Sequence, residues 1–179
     1  MTKPIDVVGF WRLAGSQKWF ARSRAFDQAI ALRFEPAHFA AARGEHDGWM
    51  ASPEGALGLL LLLDQFPRNL FRGSAHAFAT DGKALSIAKH AIGEGFDQSI
   101  EAELRPFVYM PLMHSEVLAD QEVSVVLFEA LGAKSNLDYA VIHRDIITRF
   151  GRFPHRNAAL GRATTPQEQA FLEEGGFAG

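Results

Sequence analysis

The 179-residue chain contains no cysteine, which removes disulfide scaffolds, thiolate zinc sites and cysteine nucleophiles together. Long apolar runs are missing too. The most hydrophobic stretch, Leu57 to Leu63, holds Gly58 and is only seven residues long, whereas a membrane-spanning helix needs about 20. The first ten residues carry a single Lys and no apolar core of signal-peptide length. Charge of one sign is scarce: the net value is −3, so nothing draws the whole chain to nucleic acid or anionic lipid. No GxGxxG, Walker A, GxSxG or HExxH pattern occurs. These absences lead us to expect a cytoplasmic protein with no membrane or nucleic-acid partner, no metal and no cofactor.

What the chain does have is apolar bulk. Apolar residues make up 47% and charged residues 22%, with 15 Phe and 3 Trp, a composition that builds a core and excludes a disordered chain. The length suits a single domain over residues 1–179. Periodicity is helical almost throughout. Ser16 is expected to cap a helix running to about Arg33, and Ser52-Pro53-Glu54 to start another. That second helix holds five consecutive leucines, Leu59 to Leu63; with no polar face it should be surrounded by other helices. Pro67 should disfavour helix at Phe66. Further helices are expected from Asp81 to Glu94, Asp97 to Leu104 and Ser115 to Leu131. Another should run from Leu137 to Phe150 with Asn136 as cap. Gly95, Gly132 and Gly151 act as stops, and Pro106 and Pro111 as breaks. Val123 to Leu127 reads as helix because it lies in phase with its flanks. Thr165-Pro166-Gln167-Glu168 is a capping box opening a last helix. The fold class is all-α: antiparallel helix pairs, as a bundle or a stack, around a central leucine-rich helix.

Three clusters could carry chemistry. The first, Asp64 to Gly73, gathers Asp64, Arg68 and Asn69 at the end of the leucine helix; alone, it reads more readily as an ion pair and a tied turn than as a site. The second is Met113-His114-Ser115-Glu116. Ser115 sits at a helix start where its hydroxyl bonds the backbone, which rejects it as a nucleophile; His114 and Glu116 are candidate general bases. The third runs from His143 to Asn157 and on to Arg162, with five Arg (Arg144, Arg149, Arg152, Arg156 and Arg162) plus His143 and His155. Arg152, His155 and Arg156 on an irregular turn exceed what a helix C-terminus needs, and guanidinium forks at that density suit carboxylate or phosphate. Phe66-Pro67-Arg68-Asn69 is echoed by Phe153-Pro154-His155-Arg156-Asn157, with no fixed repeat period.

At these clusters the chain resembles a bacterial family of unknown function, the domain-of-unknown-function family nine-two-four. The matching motifs are LLLDQFPRNLFRG (Leu61 to Gly73), MHSE (Met113 to Glu116) and FGRFPHRN (Phe150 to Asn157). The resemblance implies a tetratricopeptide-like, all-helical fold and brings no reaction with it. Its motifs take in Asp64, Gln65, Arg68, Asn69, Arg72, His114, Glu116, His143, Arg152, His155, Arg156 and Asn157, which favours one joint site.

The leading expectation is a pocket for a small anion, bound by Asp64, Arg68, Asn69, Arg152, Arg156 and Asn157. A second is a hydrolase or transferase using Glu116 or His114 as base, assisted by His143 or His155. A third is a peptide-binding adaptor with a protein partner.

Overall fold

Helix punctuation in the sequence is honoured at some boundaries, Ser52, Gly132, Gly151 and Thr165 among them, and overridden by packing at others. The computed structural model describes residues 2–177. Among these there is no strand, and no helix is long and apolar enough to cross a membrane. The helices are α1 (Pro4–Ala14), α2 (Ser16–Trp19), α3 (Arg24–Ala42), α4 (Pro53–Leu60), α5 (Phe66–Leu70), α6 (Asp81–Gly93), α7 (Phe96–Ser99), α8 (Pro106–Met113), α9 (Leu118–Leu131), α10 (Lys134–Phe150) and α11 (Pro166–Glu173). The chain divides into two units, residues 1–72 with 76–111 and residues 73–75 with 112–179.

In the first unit the leucine helix is the centre. Leu59 to Leu63 are all fully buried. α4 packs on α1 and α6, and the turn after it packs on α3 and α6. The expected helix from Ser16 is instead split. α2 is a single turn, and Ser23 caps α3 by accepting the Phe26 N–H at 3.3 Å. Aromatic packing decides the break: Trp19 stacks on Trp11 at 6.0 Å and donates to the Trp11 carbonyl at 2.8 Å, which anchors the short turn against α1. Ser52 caps α4 as expected.

Pro67 does not end the helix at Phe66. The chain stays helical from 53 to 70 by widening one turn, Leu61–Gln65, to π geometry, with the Phe66 N–H reaching back to the Leu61 carbonyl. A proline nitrogen has no hydrogen to give to the preceding turn. Two side chains take up the carbonyls there: His38 Nδ1 donates to Leu62 O at 2.8 Å and Thr80 Oγ1 donates to Leu63 O at 2.5 Å. Pro106 likewise begins α8 rather than breaking it, and Pro111 lies inside that helix. The helix expected from Asp97 shrinks to the one turn of α7.

In the second unit α9 and α10 form the most extensively packed pair, and the two-residue connection makes them antiparallel neighbours. Gly132 (φ 70°) and Gly151 (φ 69°) end these helices in left-handed conformation, as expected. Ser115 does not start α9. It takes the Val117 N–H at 3.2 Å and donates to Asp120 at 2.7 Å, one turn upstream of the helix. α10 begins at Lys134, so Asn136 lies inside its first turn and is not the cap. The capping box of Thr165 and Glu168 opens α11.

Candidate functional site

The first cluster, in the first unit, is an internal charge network. The Asp64 carboxylate is fully buried, 3.3 Å from the Arg68 guanidinium, and receives the Gln65 amide at 2.5 Å. Arg68 also forks onto Asp81 through two bonds of 3.1 Å. Burial works against the Arg68 charge, but Asp64 and Asp81 hold it protonated above its ordinary value. Asn69 donates to Asp27 at 2.8 Å, and Arg72 forks onto the same carboxylate at 2.8 and 2.9 Å. Partial burial would raise the Asp27 carboxyl; the Arg72 and Asn69 hydrogen bonds outweigh it and keep the group below its usual range. Asp27 and Asp81 are the partners that sequence reasoning missed. Both lie in the first turn of a helix, where an acid is ordinary and so carries no signal.

The second and third clusters meet in the second unit. Glu116 accepts the Phe153 N–H at 2.8 Å and is gripped by Arg162 through bonds of 2.8 and 3.1 Å. Arg162 extends to the Phe153 carbonyl and the Asn157 side chain. Half-burial alone would raise the Glu116 carboxyl, yet Arg162 and the Phe153 amide lower it, so Glu116 stays ionised and is a weak base. Arg152 forks onto the buried Glu168 at 2.6 and 2.8 Å. The same carboxylate takes the Asn157 amide at 3.2 Å and the Thr165 N–H at 2.8 Å. The Arg152 hydrogen bond is the chief reason that Glu168 is lowered to about 2. Arg152 and Asn157, expected at a ligand, thus tie the turn after α10 to the start of α11.

The histidines behave differently. His143 is buried on the inner face of α10 and donates from Nδ1 to the Tyr139 carbonyl at 2.7 Å, which leaves Nε2 as the acceptor. Its ring lies 6.4 Å from His114 and 5.2 Å from Phe153. Phe153 in turn touches His155 at 5.6 Å and carries the Arg156 guanidinium 4.5 Å above its ring. Burial first, then the charges of His114, His155 and Arg156, push His143 down to about 3, partly offset by the Tyr139 carbonyl. The rings of His143 and His155 and the buried Arg156 guanidinium therefore gather around Phe153, with His114 beside His143. No group of three or more His, Asp or Glu among the described residues is placed to hold a metal ion.

Sequence reasoning had Arg162 in the basic stretch without seeing its role as the Glu116 partner. It lies in a loop, where no periodicity aligns residues 46 positions apart. Glu168 was visible, but only as half of a capping box.

A solved structure described as a protein of unknown function from Agrobacterium tumefaciens is similar to this chain at 51% identity. The match covers 96% of this chain and 97% of that one, with a TM-score of 0.93. Among curated proteins none matches. The motif resemblance and this likeness agree with the match of a family model over residues 7–176, and the chain belongs to that family, the bacterial proteins of unknown function designated DUF924.

Proposed function

We propose that the second unit binds a small anion, carboxylate or phosphate, at the cluster of His114, His143, His155 and Arg156. The observation that carries this reading is the approach of His143, His155 and the buried Arg156 to Phe153, with His114 6.4 Å from His143. Nearby Glu116 is matched by Arg162 and lies within range of the Arg156 charge, and Glu168 is matched by Arg152. An anion there would be stabilised by charge-assisted hydrogen bonds and would offset the charges of His114, His155 and Arg156, which add to burial in keeping His143 neutral. The ligand set narrows accordingly: Arg68, Asn69, Arg152 and Asn157 already spend their polar groups on Asp81, Asp27 and Glu168.

The general-base reading for Glu116 has less support, because its two oxygens are occupied by Arg162 and the Phe153 amide. The adaptor reading has less as well. Helices of 4 to 19 residues offer no regularly repeated face.

The test is a thermal titration with inorganic phosphate and succinate at constant ionic strength, so that screening does not imitate binding. The wild-type midpoint is expected to rise with saturating anion. Arg156→Leu and His155→Gln are expected to lose most of that rise. Equal rises in wild type and both variants would sink the reading.

A further inference from the structure

A second feature of the same unit lies beside the imidazole cluster. An open groove of about 250 Å³ runs along α10 beside Phe171 of α11. Ile142, Ile146 and Arg149 come from successive turns of α10, so the helix itself lays them along one line. Phe150, Phe171 and Phe177 supply aromatic walls, and all three pack on the buried cluster of Ile146, Ile147 and Phe153. The walls are therefore backed by core and need no ligand to hold their shape.

Arg149 is the polar group of this groove that the fold leaves uncommitted. Its guanidinium lies 4.7 Å from the Phe150 ring and 5.7 Å from the Phe171 ring. It makes no hydrogen bond or ion pair among the described residues. Contact with the two rings leaves the N–H edge of the fork unused, and such an edge matches the two oxygens of a carboxylate. The other charged residue of the lining, Asp145, is already engaged by Arg144 through bonds of 2.7 and 3.0 Å. Its negative charge beside the groove disfavours a dianion.

We propose that this groove binds a small aromatic monocarboxylate, its ring against Ile142, Ile146 and the phenylalanines and its carboxylate on the Arg149 fork. The volume accommodates one ring and a short acid chain. Phosphate lacks the apolar body the groove would cover, and a neutral aromatic would leave the fork unmatched. The groove adjoins the imidazole cluster through Phe177, whose ring lies 4.5 Å from His143 and 5.2 Å from His155, but Arg156 is not in its lining.

The probe is 3-phenylpropionate, followed by amide NMR shifts and calorimetric titration of the full chain at constant ionic strength. Saturable shifts confined to residues 142–150 and 171–177 are expected. The neutral comparator 3-phenylpropan-1-ol should bind at least about tenfold more weakly, as one well-formed charge-assisted pair is worth roughly that factor. Arg149→Gln, an exposed change that touches no hydrogen bond, should weaken the acid about tenfold and leave the alcohol unaffected. Arg156→Leu should leave 3-phenylpropionate binding intact while removing the phosphate effect. Absence of saturable binding overturns the proposal. So does equal affinity for acid and alcohol, an unchanged affinity in Arg149→Gln, or loss of binding in Arg156→Leu, which would move the ligand to the imidazole cluster.

Discussion

A buried imidazole is a statement about acid stability as much as about function. His143 is held at about 3 in the folded chain, chiefly by burial, against an ordinary value of 6.5. The unfolded chain therefore binds a proton that the native state refuses, between those two values. Stability is complete above pH 6.5 and falls as pH drops from 6.5 toward 3, by roughly 1.4 kcal/mol per pH unit. His38, lowered by its own burial, adds to the loss with the same sign. Glu116, Asp27 and Glu168 are all shifted down, so their contributions disappear only below the ordinary carboxylate range. The window from pH 6.5 to 5 thus belongs to histidine. Urea denaturation across it should show a falling midpoint in wild type and a flatter profile in His143→Phe. An equal slope in both would mean that His143 takes up its proton without unfolding.

At the level of the element, the leucine helix shows what pattern conveys and what it hides. Five leucines without a polar face implied a surrounded helix, and all five are buried. Leu61→Ala should cost about 2–5 kcal/mol in denaturant unfolding, since a fully enclosed site collapses little around a cavity. An unchanged midpoint would remove that helix from the core. Gly55 is a sharper test of the same element, because a Cβ there would meet the Trp49 carbonyl and the Ser52 hydroxyl. The glycine is required by close approach of backbone, so Gly55→Ala should destabilise rather than add the usual helical gain over glycine. Neither the glycine's role nor the π turn could be read from the chain. Pro67 argues correctly against an ordinary helix, but its rescue depends on His38 and Thr80, 24 and 17 positions from the carbonyls they meet. His38→Leu removes one donor and should cost about 1–3 kcal/mol by leaving the Leu62 carbonyl buried and unmatched. The candidate site divides in the same way. Residue types and local motifs exposed the basic cluster, whereas the engagement of Arg152 by Glu168 could not be read until that acid was placed beside it.

For the whole molecule, the question is whether the two units unfold as one. The sequence favours one domain: 179 residues, with no Pro/Gly/Ser-rich linker between helices. The division also falls inside α8, between Pro111 and Leu112, and the short segment 73–75 belongs to the second unit although its flanks belong to the first. A boundary cut through a helix and crossed more than once by the chain gives no joint at which one part could melt freely. We therefore propose a single cooperative transition. The tryptophans make this testable without labels, because Trp11, Trp19 and Trp49 all lie in the first unit. Their fluorescence reports that unit alone, while far-UV circular dichroism reports the helices of both. Glu168→Ala, in the second unit, removes the carboxylate shared by Arg152, Asn157 and Thr165 and should cost about 2 kcal/mol. If the chain folds as one domain, the fluorescence midpoint falls in Glu168→Ala although no tryptophan is near the change in sequence, and both probes stay superimposed. A fluorescence midpoint unmoved by the substitution, with circular dichroism splitting into two steps, would establish two domains of independent stability.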